Sequence, residues 1–488
     1  MMKILTGTQI KEADRYTIEN EPITSVCLME RASIAISDWI SVNIDKQHSL
    51  LFLAGKGNNG GDGLAVARIL SQMGYTCSVF LAFDKEAMTD ECRINLKRLP
   101  VEVGRVEPDF ISADTVIIDA LLGTGVNGEV KEPLLSVINK INSLPNQVIS
   151  IDLPSGMKSE FGNKNQTIIR ADVTLTLEFP KLAMLLPEAG KYCGKIEVLS
   201  IGLSAEYSQK SDSNYTYITK EFIDNIVLKR DKFAHKGTYG HALLICGSRG
   251  MAGAAILSTG AALRSGCGLV TVHMPEKERF SVQAAYPSAL FSLDDGSCFS
   301  ELPVDMSKYT SIGIGCGLGQ SYITVEAFKR LLNTFYKPVV IDADALNIIS
   351  ENSKMKQSIP KGSILTPHLG ELARFVGEWH TEEEKIGLVR RLASNLKSVI
   401  VVKGAHTMIC LPDGECYFNS TGNNGMAKGG SGDVLTGYIT GLLARGYNSS
   451  HAAILGVYIH GLAGDRAANF YGMDAMNSKD LIDNLYYC

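Results

Sequence analysis

The feature that most limits what this chain can fold into is a repeating unit. A short apolar run is followed by a turn rich in glycine, asparagine and aspartate, and then by a helical stretch. Residues 50–54, Leu-Leu-Phe-Leu-Ala, are apolar at every position, with no polar alternation. Runs at 77–83, 115–119, 148–152, 173–177 and 196–201 follow, and stretches such as 64–73, 85–97 and 133–143 read as helices between them. Strands that are apolar on both faces belong to parallel sheets covered by helices on both sides. The alternation restarts at 241–246, 269–273, 311–314, 339–342, 364–366 and 399–402. It ends in a hairpin, 407–411 with 415–418, across Pro412-Asp413-Gly414. Between the two series, 204–214 is polar and Ser-rich without a hydrophobic period, which reads as a linker. The expectation is α/β throughout: two doubly wound domains, 1–210 and 216–488.

Composition narrows the function classes. With 47 basic and 52 acidic residues the net charge is −5, so nothing draws the chain as a whole to nucleic acid or to an anionic membrane. No apolar stretch reaches the roughly 20 residues of a membrane span. The 11 cysteines include no Cys-x-x-Cys pair, which argues against a zinc site and a disulfide framework and for a reducing compartment. The first residues, Met-Met-Lys-Ile-Leu-Thr-Gly, lack the apolar run of a signal peptide. A cytoplasmic enzyme, assembled as a homo-oligomer, is expected.

The chemistry-bearing residues fall at strand ends, where ligands of doubly wound sheets gather. In the first half these are Asn58–Asp62, Asp119 with Gly123-Thr124-Gly125, Asp152 with Pro154-Ser155-Gly156, and Phe179-Pro180-Lys181. In the second half they are the 313–319 glycine run, Asp342-Ala343-Asp344, His368 with Glu371, and Lys403–Thr407. Most telling is Gly422–Asp433, whose glycines run straight into a helix. Backbone amides at a helix N-terminus suit a phosphoryl group in flight. Asp433, in the first turn, is read as the general base that takes a proton from a substrate hydroxyl, against the plainer role of a first-turn charge. Lys403 reads as a phosphate clamp or an ordinary strand-end lysine, and His368 as a helix cap or a ligand contact. Glu371 and Asp342 are candidates to hold magnesium through water.

These motifs carry a resemblance. Gly-Asn-Asn-Gly-Gly-Asp-Gly (57–63), Asp-Ala-Leu-Leu-Gly-Thr-Gly (119–125) and Ile-Asp-Leu-Pro-Ser-Gly (151–156) resemble the NAD(P)H-hydrate epimerase family. The resemblance implies a Rossmann-like three-layer sandwich that interconverts R and S hydrated NADH or NADPH around a potassium ion. By position it places Asn58, Asn59, Gly60, Gly61 and Asp62 on the hydrate, with Gly123, Thr124, Gly125, Val126, Asn127, Gly128 and Glu129. Asn59, Asp119 and Ser155 would ligate potassium, and Asp152 would contact the ring as acid/base or as a positioning group.

Lys-Gly-Ala-His-Thr (403–407), Gly-Gly-Ser-Gly-Asp-Val-Leu-Thr-Gly (429–437), Asp-Ala-Asp-Ala-Leu-Asn (342–347) and Thr-Pro-His-Leu-Gly-Glu (366–371) resemble a branch of the ribokinase-like superfamily, the ADP-dependent NAD(P)H-hydrate dehydratases. That implies phosphorylation of the S hydrate from ADP, with magnesium, then loss of phosphate. Lys403, Gly404, Ala405, His406, Thr407 and Gly432 would bind ADP or ATP. Ala255, Gly317, His368 and Asp433 would bind the hydrate. One departure stands out: the family's Asn-Pro-Gly-Met-Ala-Thr-Gly-Gly is Asn-Asn-Gly-Met-Ala-Lys-Gly-Gly here, so Asn424 relaxes a turn and Lys428 adds a charge near the phosphate path. The rival readings are a ribokinase-like vitamin or sugar kinase fused to a nucleotide-binding domain, and a nucleotide-sensing scaffold.

Overall fold

The computed structural model describes residues 2–83, 88–101, 103–104 and 111–487. The chain divides into two compact units, Met2–Tyr215 and Thr216–Cys488.

The first unit is built on a parallel sheet. Its strands are β1 (Leu50–Ala54), β2 (Cys77–Leu81), β3 (Val103–Gly104), β4 (Val116–Ala120), β5 (Val148–Ile151), β6 (Val173–Leu177) and β7 (Lys195–Leu199), in the spatial order β3-β2-β1-β4-β5-β6-β7. The chain winds outward from β1 in one direction, returns, and winds outward from β4 in the other. Side chains alternate between two cores. Leu50, Phe52 and Ala54 pack with Ile36 and Ile40, whereas Leu51 and Leu53 pack with Ile138 and Ile141. Helix α1 (Gly7–Asn20) packs in a smaller cluster with Phe179 and Ile201, and the helices behind the two cores are α2 (Ser25–Asn43), α3 (Asn58–Gln72), α4 (Asp90–Arg98) and α5 (Leu134–Asn142). This is why every position of β1 had to be apolar.

Three readings are corrected here. The helix expected at 64 begins at Asn58, so the glycine-rich turn is the first turn and a half of α3. Residues 204–214 are not featureless: Ser204 caps a short helix, Ala205–Lys210, closed by a Glu206–Lys210 pair. The helix expected over 85–97 is Asp90–Arg98, and the part of it at 85–87 lies outside the described residues.

The second unit carries β8 (His241–Ile245), β9 (Leu269–Pro275), β10 (Leu290–Asp294), β11 (Ser311–Ile314), β12 (Val339–Ile341), β13 (Ile364–Leu365) and β14 (Val399–Val402), all parallel. The antiparallel ribbon β15 (Met408–Cys410) and β16 (Cys416–Phe418) follows. The order is β16-β15-β14-β13-β12-β11-β8-β9-β10, again reversing beside the first strand of the series. Its principal helices are α6 (Ala252–Arg264), α7 (Ala343–Glu351), α8 (Leu369–Val376), α9 (Ser431–Ala444) and α10 (Ser449–Tyr471). Edge strand β10 escaped the sequence reading because its leucines, Leu290 and Leu293, face outward. Among the described residues, no helix is long and apolar enough to cross a membrane.

Candidate active sites

In the first unit a cavity of about 1470 Å³ opens at the carboxyl ends of β1 and β4, the point where strand order reverses. It exceeds the roughly 300–1,000 Å³ of a drug-sized site and suits a dinucleotide. Asn58, Asn59, Asp62, the whole run 123–129 and Asp152 line it. Gly60 and Gly61 do not. A Cβ on Gly60 would lie 1.8 Å from the Gly55 carbonyl oxygen, and one on Gly61 would press the end of Met29, so both serve the packing of α3.

Beneath this cavity lies a buried polar knot. Asp119 is completely buried and accepts hydrogen bonds from Ser155 Oγ (2.5 Å), Ser155 N (2.8 Å) and Ser150 Oγ (2.8 Å). Burial raises its carboxyl above the usual range while these donors pull it back. Asn59 donates to the Leu122 carbonyl at 3.0 Å, and its Oδ1 is buried without a partner. Ser155 Oγ reaches the same carbonyl at 3.3 Å. An orphaned amide oxygen beside a carbonyl and a hydroxyl is hard-cation donor chemistry, and a potassium ion fits it better than a transition metal does.

Asp152 is not a free carboxylate. It follows β5 with a left-handed backbone, φ +65°, and is ion-paired with Lys181, whose side chain is only 1% exposed. Lys181 also donates to Thr176 Oγ1 at 2.8 Å. Asp14, from α1, faces the same cavity. Neither Asp14 nor the Asp152–Lys181 pair was singled out as such from the sequence. Asp14 lies at the centre of the Ile10–Asp14–Ile18 stripe of α1, and that lone carboxylate on an apolar face was the available signal.

In the second unit the strand ends converge on one ion pair. Asp342, buried after β12, accepts from Lys403 Nζ at 2.7 Å on one oxygen and from Thr436 Oγ1 at 2.8 Å on the other. Glu371 stands 3.7 Å from the same ammonium. Burial pulls Lys403 down, but Asp342 and Glu371 outweigh it and the net shift is upward. Lys403 thus occupies the space between Asp342 and Glu371 in which the sequence suggested magnesium. Both Asp342 oxygens are taken, so these two carboxylates do not fit a metal between them. Among the described residues no group of three metal-ligating side chains exists.

Helix α9 begins directly over this pair. Gly430 precedes it at φ +90°, where a Cβ would also strike Leu257 at 2.4 Å, and no side chain caps the helix. The amides of Gly432 and Asp433 donate to no group among the described residues. A Cβ on Gly432 would sit 3.5 Å from both Asp342 Oδ2 and Lys403 Nζ. Asp433 is raised above the ordinary carboxylate range, first by burial and also by Asp342, while a hydrogen bond from Cys316 and the charge of Lys403 oppose the shift. The glycine-rich stretch before α9 is fixed by Asp465 of α10, which accepts from Gly422 N and Asn423 Nδ2, both at 2.9 Å.

Other expected contacts separate. Gly404 and Ala405 are exposed in a turn closed by Thr407 Oγ1, which donates to the Gly404 carbonyl at 3.0 Å. His406 is held by the Asn419 carbonyl at 3.0 Å. His368 is the cap of α8, its Nδ1 accepting from Gly370 N at 3.0 Å and its Nε2 lying 3.5 Å from Glu371 Oε1, with the side chain 55% exposed. The Gly317 carbonyl is fixed by Ser248 Oγ at 2.9 Å. Ala255 is fully buried, its methyl 3.1 Å from where Gly247 would carry a Cβ, so it shapes the floor and offers a ligand no surface. Lys428 spends its ammonium on the carbonyls of Met473 (3.3 Å), Asp474 (2.6 Å) and Met476, fastening a loop.

Comparison with known proteins finds a family match in each half of the chain. The family described as NAD(P)H-hydrate dehydratase matches residues 242–486, and the YjeF-related protein N-terminus matches residues 25–183. The bifunctional NAD(P)H-hydrate repair enzyme Nnr of Moorella thermoacetica is 34% identical over 100% of this chain and 96% of its own length. The chain belongs to the bifunctional NAD(P)H-hydrate repair enzymes. Its Escherichia coli relative of the same name is 31% identical over 98% of this chain and 92% of that one. A ribokinase-like superfamily protein from Enterococcus faecalis superposes with a TM-score of 0.51 at 28% identity, over 56% of this chain and 95% of that chain. The repair-enzyme chain is therefore ribokinase-like in part, and its first sheet has the Rossmann winding. An ADP/ATP-dependent NAD(P)H-hydrate dehydratase from Bacillus subtilis, crystallised with ATP and Mg2+, is 34% identical over 55% of this chain and 96% of its own, with a TM-score of 0.49.

Proposed function

We propose that this chain repairs hydrated nicotinamide cofactors. The domain at 1–210 interconverts the R and S forms of hydrated NADH and NADPH. The domain at 216–488 dehydrates the S form at the expense of ADP, releasing AMP and phosphate. The observation that carries this reading is the meeting of Lys403, Asp342 and Asp433 beneath the uncapped N-terminus of α9.

Asp433 takes the proton of the substrate's ring hydroxyl as that oxygen attacks the terminal phosphoryl group. The free amides of Gly432 and Asp433 receive the charge that builds on the transferred group. Lys403, kept cationic by Asp342 and Glu371, neutralises it further, and Thr436 fixes the Asp342 carboxylate so that the ammonium cannot swing away. Gly404 and Ala405 border this position with exposed backbone on which a nucleotide can lie. Phosphate then departs and the dihydronicotinamide is restored. Magnesium would come with the nucleotide and would supply charge neutralisation at its phosphates.

In the first domain, Asn59 Oδ1, the Leu122 carbonyl and Ser155 Oγ are the groups suited to potassium, with Asp119 supporting Ser155. A monovalent cation there would supply a fixed positive charge beneath the cavity. Asp152 is the anion facing the hydrate ring, held by Lys181.

The test is direct. Hydrated NADH containing both epimers is added to the enzyme, and recovery of the reduced-nicotinamide absorbance is followed with and without ADP. Recovery of both epimers, only with ADP, is expected. Turnover of a vitamin or sugar with ATP, and none of the hydrate, would put the small-molecule kinase in its place.

A further inference from the structure

We infer that Asp14 is the proton carrier of the epimerase cavity, the group that protonates the departing hydroxyl of the hydrate and recovers that proton when water adds back. The inference rests on the epimerase reading above and names a residue that none of its motifs contains.

Asp14 sits midway along the cavity-facing stripe of α1, with Ile10 one turn before it and Ile18 one turn after, all three lining the cavity. A carboxylate in the middle of an apolar stripe is costly unless it is used. Its oxygens accept no hydrogen bond from any described residue, in contrast to Asp119, which is saturated, and Asp152, which is ion-paired. Asp62, from α3, also faces the cavity and is likewise without a hydrogen-bond partner, at only 8% exposure.

The charged groups around Asp14 divide the work among three carboxylates. Asp152 is ion-paired with Lys181, which is buried against it. Asp62 is pushed well above the ordinary carboxylate range by burial, by Asp152 and by Asp14. Asp14 is raised to about 6, by burial and by Asp152, with Lys181 opposing. Lys11 on α1, Lys56 before α3, Glu91 from α4, and Glu129, Lys131 and Glu132 after β4 complete the charged lining. Asp14 is therefore the member of the set that both gains and loses its proton near neutrality, as a carrier must.

The step balances. The C–O bond of the carbinol carbon breaks and the oxygen leaves as water, carrying the Asp14 proton. The lone pair of the adjacent ring nitrogen forms a C=N bond, and the cation faces the new Asp14 carboxylate. Water adds to the opposite face, the C=N electrons return to nitrogen, and the released proton goes back to Asp14. Nothing is consumed.

The experiment uses the full chain, the purified R and S hydrates of NADH, and ADP. In Asp14→Asn the conversion of R is expected to fall about 100-fold or more in kcat with little change in KM, while ADP-dependent dehydration of S keeps the parent rate. The parent's epimerisation rate should be level below about pH 6 and fall about tenfold per pH unit above it. That limb should vanish in Asp14→Asn and return, displaced, in Asp14→Glu. If Asp14→Asn epimerises within about threefold of the parent and keeps its pH limb, the assignment is overturned and the epimerase reading stands. If the parent dehydrates S but never converts R, the epimerase reading fails and takes the assignment with it.

Discussion

A single carboxylate in each half carries most of the weight. In the proposed mechanism Asp433 must be ionised to act as base, and burial holds its carboxyl above the ordinary carboxylate range. Dehydration should therefore decline on acidification, earlier than an exposed aspartate would dictate. Asp433→Asn should slow ADP-dependent repair of S by about 100-fold or more and leave interconversion of R and S at the parent rate, read in one assay with each epimer. Asp62 makes a prediction about stability. Its folded pKa lies well above the 3.8 of an exposed aspartate. Its contribution to stability is complete below the unfolded value and disappears as pH rises through the folded one. Asp62→Asn escapes that loss, so the first melting transition should gain on the parent between pH 5 and pH 8, as thermal melts at the two values would show. The candidate residues at strand ends were legible because glycine, aspartate and asparagine after an apolar run have few other uses. Lys181 as the partner of Asp152 was not, since the two are 29 positions apart and meet only through the sheet.

At the scale of elements, α9 is presented by its packing on α6. Helix α6 is almost wholly Ala, Gly, Ser and Thr on its buried side, and α9 answers with Gly437 and Gly441. A Cβ on Gly437 would lie 2.0 Å from the Ser258 carbonyl oxygen, and one on Gly441 2.0 Å from Ser265 Oγ. Backbone cannot yield as a flexible side chain does. Gly437→Ala should cost about 1–3 kcal/mol or more, measured as a lower midpoint in urea, and should displace Asp433 from Lys403 so that kcat falls as well. Sequence periodicity located the strands whose two faces are both buried. It missed β3 and β10 at the sheet edges, where burial is one-sided and the apolar signal fades. It also began α3 too late, because glycines are poor helix formers and only close packing, of Gly60 on Gly55, Gly61 on Met29 and Gly63 on Ala120, explains their presence inside the first turns.

For the whole molecule, several hydrophobic clusters among the described residues each draw on one unit. Expressed apart, Met2–Tyr215 should still interconvert the epimers and Thr216–Cys488 should still dehydrate S. Mixing the two fragments should restore complete repair, and failure of either to melt cooperatively on its own would contradict this. Both sheets bring their reactive groups to the carboxyl tips of their strands. The opposite rims, such as the turns at 266–268 and 360–363 that lead into β9 and β13, hold none of them. Lys361, exposed on that rim of the second sheet, is the place to attach an affinity tag, a fluorophore or a surface tether far from the reactive groups.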